Sequence, residues 1–91
     1  MNEQDLLFFH ASLRDDLPTI DLHGIVSMVS AEDMLQQQLF LFSSTGESVC
    51  RVIHGIGTGA MQAMVHAVCL NHPLVKDIRP SEDGGSTVVV L

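Results

Sequence analysis

Val49-Cys50-Arg51-Val52-Ile53-His54-Gly55 runs on as Ile56-Gly57-Thr58-Gly59, and earlier in the chain Thr19-Ile20-Asp21-Leu22-His23-Gly24 ends the same way. Each is an apolar run that stops at a His-Gly pair, the pattern of a buried strand that turns sharply just after placing a histidine. With a helix between them the unit is β-α-β and its strands are parallel. Both His-Gly turns then fall at the carboxyl edge of one sheet, where open α/β sheets build their sites. Two histidines, one following an aspartate and one leading into a glycine-rich loop, suit acid/base chemistry on a phosphate-bearing ligand.

Around this unit the helices announce themselves by spacing. Asn2 and Asp5 form a capping pair, and Leu6, Phe9 and Leu13 recur at helical intervals. A first helix is expected over about residues 3 to 13, ended by Arg14-Asp15-Asp16-Leu17-Pro18. The run Leu6-Leu7-Phe8-Phe9 is expected to pack on the protein's own sheet, the other reading being a docking surface for a partner or a second copy. Ser30 and Asp33 mark a second helix start, with Ala31, Met34, Leu35, Leu39 and Phe42 on one face and Ser43-Ser44-Thr45-Gly46 as its end. Met61, Met64, Val65 and Val68 stripe a third helix, closed by Asn71-His72-Pro73 because proline cannot continue it. His10, His66 and His72 are read as surface or cap histidines. Leu74–Ile78 and the β-branched Thr87–Leu91 read as strands joined by a turn over Pro80–Gly85. The expected fold is an α/β two-layer sandwich: a β-α-β-α-β-β mixed four-stranded sheet (residues 19–91) with an added N-terminal helix and linker (residues 1–18).

At 91 residues, 46% of them hydrophobic, the chain carries one modest core. No apolar run approaches the roughly 20 residues that span a bilayer, and Met1-Asn2-Glu3 is acidic where a secretory signal is basic, so a soluble cytoplasmic protein is expected. Cys50 in a strand and Cys69 in a helix read as buried, reduced thiols. Eleven carboxylates face only Arg14, Arg51, Lys76 and Arg79, a net charge of −7. A polyanion must therefore be met locally, by backbone donors and few cations.

Gly55, Gly57 and Gly59 lie between a strand and a helix start, where bare backbone can approach a ligand and helix-terminal amides favour an anion. A dinucleotide fold is disfavoured: the spacing is G-x-G-x-G, and too little chain follows Asp77 for the second half of such a fold.

Asp21-Leu22-His23-Gly24, then His54-Gly55-x-Gly57-Thr58-Gly59 opening a helix, then Gly84-Gly85-Ser86-Thr87-Val88-Val89-Val90-Leu91 at the end, together resemble the Smr (small MutS-related) domain. The resemblance spans Thr19 to Leu91, in the family's order. It implies a sandwich similar to the C-terminal domain of bacterial translation initiation factor three. It also implies nuclease or nucleic-acid-binding activity, since Smr domains are linked to nicking of DNA and cleavage of messenger RNA at stalled ribosomes.

Carried over, Asp21 and His23 match the family's Asp-Leu-His motif and are candidate catalytic residues with His54. Gly55, Gly57, Thr58 and Gly59 are the candidate phosphate-binding loop. A histidine near neutrality can take a proton from a nucleophile, a carboxylate can orient it, and loop amides can hold the phosphate. The structural alternatives are that Asp21 caps its turn and that His23 and His54 bond buried backbone. Two departures stand out: Ile56 and Gln62 occupy positions where the family often has cations. The expected function is thus an endonuclease on RNA or structured DNA, or a non-catalytic interaction module, for a protein partner or a second copy, with weakened nucleic-acid binding. No membrane is expected as a partner. A metal site from Asp21, His23 and His54 lacks short ligand spacing, so no cofactor is expected, with magnesium left open.

Overall fold

The computed structural model describes residues 2–91, which form three helices and one four-stranded sheet in the order α1 (Glu3–Ser12), β1 (Thr19–Asp21), α2 (Met28–Ser44), β2 (Val49–Ile53), α3 (Ala60–Asn71), β3 (Asp77–Pro80) and β4 (Ser86–Val90). The strands lie β1-β2-β4-β3. β1 and β2 run parallel with Asp21 level with Ile53, while β4 is antiparallel to both β2 and β3. The mixed α/β architecture expected from the sequence is therefore present, and the parallel pair brings both His-Gly turns to one end of the sheet.

Side chains alternate across the sheet and sort into two unlike faces. Ile20, Cys50, Val52 and Val89 join Leu22, Ala31, Leu35, Leu39, Val65 and Cys69 in a core under α2 and α3. The opposite face carries Val49 and Val90, covered by Phe8, Ala11 and Leu17 in a second, smaller cluster. α1 thus roofs only one end of that face. Burial pushes the Cys50 thiol up to about 12, with Cys69 and Glu47 adding to it, and that of Cys69 up to about 11, so both free thiols are inert core side chains.

Several local expectations shift. α2 starts at Met28, capped by Ser27, whose hydroxyl accepts from the Ser30 amide, so the helix begins earlier than the Ser30–Asp33 pair suggests. The segment expected as a strand from Leu74 is instead a turn over His72–Val75, with the Leu74 amide donating to His72 Nδ1 and that of Val75 to the His72 carbonyl; β3 opens at Asp77. In α1 the predicted face is turned outward: Leu6, Phe9 and Leu13 are 43%, 53% and 68% exposed, and Phe8, Ala11 and Leu7 face the sheet. Four consecutive apolar residues leave spacing unable to choose a face, and the Val49–Val90 patch chooses it.

Candidate functional site

Continuing the β1–β2 register one step beyond the strands sets Leu22 level with His54 and His23 level with Gly55. The two histidines are therefore offset by one position and emerge on opposite faces of the sheet. His23 lies on the open face, at the head of a groove of about 930 Å³ whose walls include Arg51, Ile53, Gly55, Arg79, Ser86 and Val88, with Phe8 and Ser12 of α1 at its other side. Gly55, at φ +79°, makes room for it: a Cβ there would stand 3.0 Å from His23 Cδ2.

Asp21 serves the turn. Its Oδ1 accepts from the His23 backbone amide at 2.9 Å, which holds the segment that carries the imidazole.

His54 is not brought to the groove. It is 5% exposed, and both ring nitrogens are engaged on the helix-covered face. Nδ1 stands 2.9 Å from the Gly55 carbonyl, which can only accept, so Nδ1 carries the proton and Nε2 accepts. Nε2 then receives the Thr87 hydroxyl at 3.0 Å, and Thr87 Oγ1 in turn receives His66 Nε2–H at 2.9 Å. The tautomers of both rings follow from the one carbonyl. Burial, and then the neighbouring His54 ring, holds the His66 imidazole below its ordinary range. By sequence alone His66 reads as a surface or cap histidine; its place in this chain of bonds is invisible there because its partner Thr87 lies on a distant strand.

The loop beyond Gly55 is exposed, and the groove wall does not include Gly57, Thr58 or Gly59. Gly59 caps α3 at φ +84°, and Thr58 Oγ1 accepts from the Ala60 amide at 3.3 Å. Among the described residues the Gly57 and Thr58 amides, just before the N-terminus of α3, have no protein acceptor. Ile56 is 69% exposed, beside Gly85. Among the described residues no three His, Cys, Asp or Glu side chains converge as a metal centre.

Of the chain's four Lys and Arg, two line this groove. Arg51 and Arg79 flank Val88 across the sheet. No sequence pattern pairs them, because β3 and β2 become neighbours of β4 only in the folded sheet.

Comparison with known proteins gives the fold a family. The family model for the Smr domain matches residues 20–91. The chain belongs to the Smr domain family. It is 40% identical, over 78 residues covering 81% of the chain, to a protein of Thermomicrobium roseum named endonuclease MutS2. The aligned region is 10% of that relative, so the chain spans about a tenth of its length. It is also similar to the crystal structure of the Smr domain of Thermus thermophilus MutS2, with a TM-score of 0.76 and 28% identity, covering 82% of this chain and 98% of that one. α1, which roofs the groove, lies outside the residues that the family model matches. No helix is long and apolar enough to cross a membrane among the described residues.

Proposed function

We propose that this Smr domain cleaves phosphodiester bonds in RNA or structured DNA, with His23 moving the proton. The observation that carries the reading is the meeting of the two motifs at the groove head, where the His23 ring stands over Gly55 on the face that also presents Arg51 and Arg79. The name of the Thermomicrobium roseum relative, an endonuclease, supports the same class. On RNA, His23 takes the proton of the 2′-hydroxyl as that oxygen bonds phosphorus and the bond to the 5′-oxygen breaks, the leaving oxygen being protonated from water. Asp21 holds the turn that aims His23. The Gly57 and Thr58 amides, aided by the α3 dipole and the close backbone approach that Gly55 and Gly59 allow, receive phosphate charge. His54 acts here as a positioning residue: its bond to the Gly55 carbonyl ties the loop to β4 through Thr87.

A second reading, a non-catalytic module for a protein partner or a second copy, is favoured by the outward Leu6, Phe9 and Leu13 of α1 together with the net charge of −7.

The deciding assay is cleavage of single-stranded RNA and of branched DNA, with and without magnesium. Product from the unaltered chain, reduced about a hundredfold or more in His23→Ala, is the expected result. Ile56→Lys adds a cation beside the loop and strengthens binding by about 1 kcal/mol. No product from either substrate, even with Ile56→Lys, overturns the nuclease reading in favour of the module.

A further inference from the structure

The guanidinium of Arg79 is held on two sides by α1. The Asp5 carboxylate bonds its Nη2, and the Phe8 ring lies under it with Cζ 4.2 Å from the ring centroid. Across Val88, Arg51 projects into the same groove with no carboxylate paired to it among the described residues. A guanidinium seated on an aromatic face is oriented in advance, and the edge that Asp5 holds suits a phosphate as well as it suits a carboxylate.

We infer that Arg51 and Arg79 form a phosphate subsite on the open face of the sheet for the backbone of a single-stranded nucleic acid, and that Asp5 occupies Arg79 as a competing intramolecular anion. The inference rests on the proposed function for its choice of ligand. Arg51 and Arg79 sit two strand spacings apart, roughly 10 Å, so each meets a different phosphate of a strand crossing the groove from His23. Phe8 is buried against the sheet and stays in place when the carboxylate leaves, keeping the guanidinium set for the incoming phosphate. Asp5 and Phe8 belong to α1, which lies outside the residues that the family model matches, so the competition comes from beyond the matched domain. In a chain this acidic, an internal carboxylate on one of two groove cations restricts binding to ligands that bring several phosphates at once.

The full chain tests this with two probes at low salt: a short labelled single-stranded RNA, and inorganic tripolyphosphate followed through the backbone amide resonances of Arg51, Arg79 and Val88. Asp5→Asn is expected to tighten both about fivefold, the scale of one exposed charge pair, and Arg51→Gln and Arg79→Gln to weaken both by a similar factor. Asp5→Asn in the Arg79→Gln background should change nothing, which separates release of Arg79 from a general change in charge. Because Asp5 also takes part in the α1 capping box, Asp5→Ser, which keeps a capping side chain without the charge, must behave as Asp5→Asn does. Equal affinities for the unaltered chain and both Asp5 variants overturn the competition. RNA binding that ignores both arginine substitutions overturns the subsite while leaving the nuclease reading standing. Tripolyphosphate binding that follows all the variants in a chain that cleaves nothing keeps the subsite and removes the nuclease. Binding of neither probe by any variant overturns the subsite.

Discussion

The two His-Gly turns are nearly the same in sequence and opposite in circumstance. His23 stands exposed on the open face against Gly55; His54, one register step away, is buried beneath α3 with both nitrogens bonded. A strand's side chains alternate with period two, so a single-residue offset between paired strands is enough to send one imidazole to solvent and the other to the core. The same dipeptide therefore places an exposed imidazole over the groove in one turn and builds a structural clasp in the other. A histidine in a motif acquires its role from the face it lands on.

Substituting each histidine separates the roles most sharply. His54→Ala removes two hydrogen bonds, one of them buried, leaves the Thr87 hydroxyl proton without its acceptor and opens a cavity, and should cost about 3 kcal/mol of stability, whereas His23→Ala should stay within about 0.5 kcal/mol. Chemical denaturation of the two variants checks this, and equal losses would erase the contrast between the turns.

Gly55→Ala tests the point where the turns touch. The residue has φ +79°, and a Cβ would press on His23 Cδ2, so a loss of about 1–2 kcal/mol is expected together with displaced His23 ring resonances. Unmoved His23 resonances would show that the groove head does not depend on the bare backbone beneath it.

The smallest effect concerns pH. The His66 imidazole is held below its ordinary value near 6.5, so the unfolded chain binds more protons on it than the folded chain at pH values between the two. Stability should therefore fall as pH drops below about 6.5 and level off below the folded value. His66→Gln keeps a donor for Thr87 without the titration. Its melting temperature should decline less between pH 7 and 5 than that of the unaltered chain, and parallel declines would exclude His66 as the source.

Much of the fold was legible because it is written locally. The Asn2 cap, Pro73 after the third helix, the β-branched run at the end and the apolar strands ending in His-Gly each depend on neighbours within a few residues. α2 starts one turn before the Ser30–Asp33 pair because Ser27 is also a competent cap, and it is the Ser27 hydroxyl that accepts from the Ser30 amide. The α1 face was misplaced because Leu6-Leu7-Phe8-Phe9 covers nearly every side of a helix, leaving Val49 and Val90 to draw in Leu7, Phe8 and Ala11.

By itself, then, the sequence determined the elements, the parallel unit with its two turns at one edge, and the family, since motifs and periodicities are properties of contiguous residues. Only the tertiary structure decided which histidine reaches the groove, that Thr87 joins His54 to His66, and that Arg51 and Arg79 share a surface with Asp5 upon one of them. Each of these depends on strand register or on the docking of a helix, which arise from burying apolar area between segments far apart in the chain. Such burial is settled by the whole assembly at once and leaves no mark in any single stretch of residues.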